Sequence, residues 1–262
     1  MTSVAEAIAG ALSTGEPREK VKATRALARA WRRGDLAWDF ATRMPERPAS
    51  VPGLELLAPK HMAKRKKGGS QRAAIALWHS LAHIEFVAID LALDMAGRFG
   101  GEMDREFVGD FIAVASDEAM HFILIERKLR TLGSSYGDLP AHDGLWQAAH
   151  ETRHDVAARL AVVPMVLEAR GLDVTPAMRE RLLEQGDSHG ARILQRILDD
   201  EIQHVAAGAR HFKTHCQACG NSPESHWKSL VNRYFRGSLK PPFNDSARLA
   251  AGLPRDFYAG VA

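Results

Sequence analysis

Two short stretches of this sequence repeat one chemistry-bearing pattern. "SDEAMH" holds Asp117, Glu118 and His121, and "DDEIQH" holds Asp200, Glu201 and His204. Each reads Asp-Glu-x-x-His. On a helix, positions three apart share a face, so Glu118 faces with His121 and Glu201 with His204. One such pair arises by chance on many solvated helices. Two in one chain point to a carboxylate–imidazole site, provided that other segments supply further acids. Glu85 in "HSLAHIEFVAIDLAL" and Glu168 in "LAVVPMVLEARG" qualify. Each stands in apolar surroundings, where an unpaired charge is costly. Glu85 precedes Glu118 by 33 positions, and Glu168 precedes Glu201 by the same 33. Residues equidistant from the turn of an antiparallel hairpin lie at one level. The first pair centres on Gly101–Glu102 and the second on Glu184–Gln185, so the two halves read as one motif used twice.

Four carboxylates and two imidazoles make a hard, oxygen-rich donor set. Iron or manganese suits it better than structural zinc, which prefers sulfur and nitrogen. Four anions in a dry core repel one another, and two divalent cations would neutralise them. Asp117 and Asp200 each precede their own histidine by four positions. They are candidates to accept the histidine's other ring N–H, or else are plain solvated acids.

Helices must position these residues. Apolar residues recur at three and four spacing over most of the chain, and period-2 runs are nearly absent, so the fold class reads as all-α. Small helices are expected at 3–12 and 15–42. Residues 43–70, with four prolines and a basic run, read as a connector without regular structure. Four long helices follow, at 72–99, 105–132, 143–171 and 188–216, with a short one between the last two that starts on Thr175 and Pro176. At 1.5 Å per residue each long helix spans roughly 40 Å. The expectation is a four-helix bundle of two antiparallel pairs with a crossover at 133–142. The domain reading is residues 1–70 as a helical extension and connector, 71–219 as the bundle, and 220–262 as an irregular arm lying on it.

With these features in place, the chain resembles the ferritin-like superfamily of di-metal carboxylate proteins, and within it the DUF455 family. The resemblance rests on "HSLAHIE", "ASDEAMHF", "YGDLPAHDGLW", "VPMVLEARGLDVTP", "DDEIQHVAAG" and "KPPFN". It implies a di-iron four-helix bundle in which Glu118 and Glu201 bridge the metals. Glu85 and Glu168 would be terminal carboxylates, and His121 and His204 the nitrogen ligands. It assigns no substrate. Related ferritin-like proteins include oxygenases, one of them a tRNA hydroxylase, as well as peroxidases and iron stores.

Three functions therefore compete. The leading one is a di-iron, or mixed iron–manganese, oxidoreductase activating dioxygen or peroxide, with an unidentified small-molecule substrate and electron donor. The others are a non-enzymatic metal store or detoxification protein, and a tRNA-modifying hydroxylase. Nucleic acid would then be a partner through the five Lys/Arg of residues 59–67. That run lacks interleaved aromatics, and the net charge of +3 is small, so a solvated loop competes with it. A homodimer is compatible with any of the three.

The remaining histidines and cysteines read more plainly. His79 and His83 lie off the face of Glu85 and read as satisfied buried histidines, with a channel-lining role as the competitor. Asp143 reads as a helix cap, with Trp146 packing behind it and His142 beside it. His150 and His154 are too far from Glu168 to share its site. Cys216 and Cys219, near His211 and His215, could bind zinc, but no second cysteine pair accompanies them, so two reduced thiols are expected. Two cysteines in 262 residues exclude a disulfide framework and suit a reducing cytoplasm. The N-terminus lacks a secretory pattern, and no membrane span is expected.

Overall fold

The computed structural model describes residues 1–58, 61–62 and 70–261. Among these the chain is mostly helical, with one two-stranded sheet. It divides into two compact units, Met1–Trp146 and Gln147–Ala262. Each contains one long helix hairpin.

The first unit opens with α1 (Val4–Leu12), held by a capping box between Ser3 and Glu6. α2 (Pro17–Arg33) ends earlier than residue 42, where the sequence pattern had placed its end. Gly34 takes a left-handed φ of 74° and turns the chain out of the helix. Ala37 then hydrogen-bonds back to Thr2 and Val4. In the connector, β1 (Leu56–Leu57) pairs in parallel with β2 (Ala141–His142), so this segment is not wholly irregular. α3 (Gln71–Phe99) and α4 (Arg105–Thr131) are the hairpin, within a residue of the expected bounds. Asp104 caps α4 by accepting the Phe107 N–H at 2.8 Å. By length and composition α3 could cross a membrane, which the sequence reading had excluded; 56% of its most apolar window is buried inside the protein.

The loop 133–142 is fastened to α3 by two neutral histidines. His79 Nε2 accepts the backbone N–H groups of Gly137 (3.0 Å) and Leu139 (3.3 Å). His83 Nε2 lies 2.9 Å from the His142 carbonyl, which can only accept, so this nitrogen carries the proton. Nδ1 then accepts from the Tyr136 hydroxyl at 2.9 Å. Burial lowers the His79 pKa and pushes that of His83 down to about 4. Asp143 differs from expectation: its carboxylate forms a two-pronged pair with Arg47, with Nη1–Oδ1 at 2.8 Å and Nη2–Oδ2 at 2.5 Å.

The continuous helix expected at 143–171 is broken. α5 (Gly144–Glu151) stops, and α6 (Val156–Val162) starts on an Asp155 cap. The fully buried Arg159 fills the break, donating to the Ala149 carbonyl (2.6 Å) and the Thr152 hydroxyl (3.0 Å). A π-helical turn, Val163–Glu168, follows, with Pro164 at its start. α7 (Ala169–Glu184) then runs through Gly171 and carries Pro176 inside it, so the separate short helix does not exist.

Pro176 has no N–H to give the Leu172 carbonyl four residues earlier. Asn244 replaces that donor: its side-chain amide reaches Leu172 O at 3.1 Å, while its Oδ1 accepts the Ala247 N–H (3.2 Å) at the start of the helix Asp245–Ala250. Asn244→Ala is expected to cost about 2 kcal/mol in urea unfolding. Asn244→Asp, which keeps the cap and loses the donor, should fall between the two.

α8 (Ser188–Ala218) returns antiparallel to α7 after Gly186, whose φ is 78°. Gly208 is required by close approach: a Cβ there would lie 2.4 Å from the Pro164 ring. The expected irregular arm is largely helical, with α9 (Pro223–Tyr234), α10 (Asp245–Ala250) and α11 (Arg255–Tyr258). Trp227, Leu230, Val231, Phe257 and Tyr258 are buried and complete the core of this unit. Its amphipathic spacing was masked by the short helices and the intervening "KPPFN".

Candidate metal centre

In the first unit, α3 and α4 bring Glu85, Glu118 and His121 together. All three are buried, and their ligand atoms lie within 4.8 Å of one another. His121 Nδ1 is 3.2 Å from Glu85 Oε2 and 3.3 Å from Glu118 Oε2. The hairpin register explains this. Glu85 and His121 have their midpoint at Met103, in the turn between the helices, and Glu118 stands one helical turn before His121 on the same face. Burial, and then the neighbouring Glu118 carboxylate, push the Glu85 carboxyl well above its ordinary value, against the pull of His121. Phe86 and Phe122, next in sequence to Glu85 and His121, are buried and pack on each other with ring centroids 5.3 Å apart. Two carboxylates and an imidazole this close can hold a metal ion.

In the second unit, Glu201 and His204 are buried on α8, with His204 Nδ1 3.6 Å from Glu201 Oε2. Gly171 of α7 faces Glu201, since a Cβ there would meet its Cγ at 4.0 Å. The Gly171–Glu201 pair and the Pro164–Gly208 pair share one midpoint, Gly186. Glu168 and His204 have that midpoint too, which puts them level. The relation repeats that of Glu85 to His121 in the first unit. Glu168 itself is half-buried at the end of the π-helical turn.

Asp117 and Asp200 are half-buried. Asp200 forms an ion pair with Arg196, with Nε–Oδ2 at 2.6 Å. At the end of α8, Cys216 is buried and its thiol is pushed up to about 11 by burial, which opposes a zinc thiolate. Cys219 is exposed, with its sulfur 3.7 Å from His215 Nε2. His154 contacts the Tyr234 hydroxyl at 3.2 Å. Most of the basic run at 59–67 lies outside the described residues.

Sequence reasoning missed two groups beside the carboxylates. Tyr136 packs its ring 5.3 Å from both Phe86 and Phe122 while holding His83. Lys20 of α2 pairs with Asp90 of α3, both buried. Their signal was available: Lys20 falls on the apolar stripe of α2 with Thr24, Leu27 and Ala28.

Comparison with known proteins is consistent with the absence of an assigned substrate. No solved structure matches the chain. An uncharacterized protein of Haemophilus influenzae (strain ATCC 51907 / DSM 11121 / KW20 / Rd) is 40% identical over 221 residues, covering 82% of this chain and 74% of the relative. The model of a family described as "Protein of unknown function (DUF455)" matches residues 13–259. That match spans both Glu-x-x-His motifs and both upstream glutamates, and the chain belongs to the DUF455 family.

Proposed function

We propose that this protein binds two metal ions, iron or iron with manganese, through Glu85, Glu118, His121, Glu168, Glu201 and His204. We read it as an oxidoreductase acting with dioxygen or peroxide. The observation that carries the reading is the buried set of Glu85, Glu118 and His121. Without a cation, two acids in such surroundings are costly, and divalent metal removes that cost. The donor chemistry fits the group: carboxylate oxygens with imidazole nitrogen suit iron and manganese. The equal register of Glu168 with His204 supports a second set of the same kind. A ferritin-like four-helix bundle over residues 71–219 is part of this proposal, drawn from the resemblance of its motifs.

A metal pair in such a set supplies two-electron redox chemistry toward dioxygen or peroxide. The chain's own residues do the rest. Glu85, Glu118, Glu168 and Glu201 would supply the carboxylate donors, and His121 and His204 the nitrogen donors. Asp117 would accept the outer N–H of His121 and fix its ring orientation, while Asp200 pairs with Arg196. Burial of Glu85, Glu118 and His121 keeps water from the donors, and the His79 and His83 contacts fasten the loop 133–142 to α3.

Metal analysis of protein purified from iron- and manganese-supplemented cells should give about two ions per chain. A Glu118→Ala, Glu201→Ala double variant should fall below about one-tenth of that loading, and retention of full loading overturns the assignment. Oxygen consumption by the iron-loaded protein, dependent on an added reductant, separates an oxidoreductase from a metal store.

A further inference from the structure

We infer that the groove between α2 and α4 is a binding site for a nucleoside polyphosphate. The groove belongs to the first unit and has a volume of about 420 Å³. That is the size of a small-molecule site. Its rim carries six cations: Arg18, Lys22, Arg25 and Arg29 from α2, and Arg127 and Arg130 from α4. All six are exposed. The α2 cations fall at successive turns of one helix face, so they line the groove along its length. Only one acid, Glu126, stands among them, leaving a net charge of five positive.

That acid is engaged. Glu126 accepts from Arg130 at 2.8 Å and from the Tyr136 backbone N–H at 3.0 Å. Lys22 pairs with Glu19 at 2.7 Å on the exposed side of α2. Arg18, Arg25, Arg29 and Arg127 make no ion pair among the described residues, so four guanidinium groups border one cavity without internal compensation. Guanidinium forks match phosphate oxygens in a two-pronged geometry. A magnesium-bound triphosphate, with about two negative charges near pH 7, would offset part of that field and still offer oxygens to the guanidinium groups.

The floor of the groove selects among phosphate compounds. Val21, Phe122 and Ile123 make it apolar. Of these, half-buried Ile123 keeps apolar surface open, which inorganic polyphosphate leaves against water and a base or another flat apolar body covers. A nucleic acid strand is disfavoured on two grounds. Strand-binding grooves present exposed aromatic faces for stacking, and Phe122 is only 2% exposed. The volume fits one nucleotide rather than several. This site uses none of the proposed metal-holding residues and stands or falls apart from them.

Isothermal titration of the full chain with magnesium-saturated ATP, at low and at moderate salt, tests the inference. Magnesium keeps the nucleotide from stripping protein-bound metal. The expected result is saturable 1:1 binding that weakens as salt rises. Arg25→Glu with Arg127→Glu should weaken it more than about tenfold. Arg18→Glu with Arg29→Glu is an independent second pair, for use if the first misfolds. Arg181→Glu with Arg192→Glu, exposed cations of the second unit, should leave it unchanged. Magnesium-saturated tripolyphosphate should bind about tenfold more weakly than ATP, and adenosine at the same concentration should not bind. No saturable binding, or undiminished binding by folded charge-reversed variants, overturns the inference. So does tripolyphosphate equal to ATP, or a single-stranded octanucleotide that binds more tightly and displaces ATP.

Discussion

Glu85→Gln is expected to stabilise the metal-free protein at pH 7 and to weaken the metal-loaded one. The two effects have opposite signs because the carboxylate has opposite energetic roles. Glu85 is buried beside Glu118, and burial with that like charge pushes its carboxyl well above its ordinary value. Ionising it at neutral pH without a cation is therefore costly, and the amide avoids the cost while keeping an oxygen that can accept from His121. The sign of the gain follows from the direction of that shift, and the unfolding experiment measures its size. With metal bound, the same change removes an anionic donor. A loss of about 100-fold in affinity lowers the metal's contribution to stability by about 2.7 kcal/mol at saturating concentrations. Urea unfolding of both proteins, after chelation and after reloading, reads both signs. A variant less stable in both conditions would make Glu85 a structural partner of His121 and remove it from the metal set.

The elements of strongest period were legible in the sequence, and those governed by exceptions were not. α3, α4 and α8 have long apolar stripes, polar caps and glycine stops, so their bounds lay within a few residues. The segment 143–184 misled because Pro and Gly usually end helices. Here Gly171 sits inside α7, and Pro176 is tolerated because Asn244, far along the chain, donates to the carbonyl that the proline abandons. No local rule can find a donor that remote. Of the C-terminal helices, α10 and α11 are too short to show a period by themselves, and α9 follows the stop at Gly220 and opens on Pro223.

The candidate site shows the same division. Equal spacing of the two glutamate pairs pointed to level residues across each hairpin. Around the turns at Met103 and Gly186, Glu85 shares its midpoint with His121 and Glu168 shares its midpoint with His204, while Glu85 reaches both His121 and the Glu118 carboxylate. A Glu-x-x-His face tolerates this difference in register, because it presents both of its members to the partner helix. The cationic groove escaped notice because its charges come from α2 and α4, whose packing the sequence does not state.

Lys20→Met is expected to destabilise the protein by about 3–5 kcal/mol at pH 8, the usual cost of leaving one member of a buried ion pair alone. Lys20 is fully buried, its ammonium rests 5.1 Å from the Phe86 ring centroid, and it pairs with the buried Asp90. Burial already raises the Asp90 pKa to about 6, against the lowering effect of Lys20. A carboxyl whose folded pKa lies above its unfolded value favours the fold most at pH below the unfolded value, and that contribution is lost as pH rises through the folded one. For Asp90 the window runs from 3.8 to about 6. Removing Lys20 moves the upper edge higher, so the defect of Lys20→Met should be smaller at pH 5 than at pH 8. Unfolding midpoints in urea at both values measure the difference. Lys20→Met combined with Asp90→Leu fills the same space without charge and should return stability to within about 1 kcal/mol of the parent at pH 8. If the double variant is as damaged as Lys20→Met alone, the lysine acts by its packing on Phe86, and the charge pair contributes little of its own.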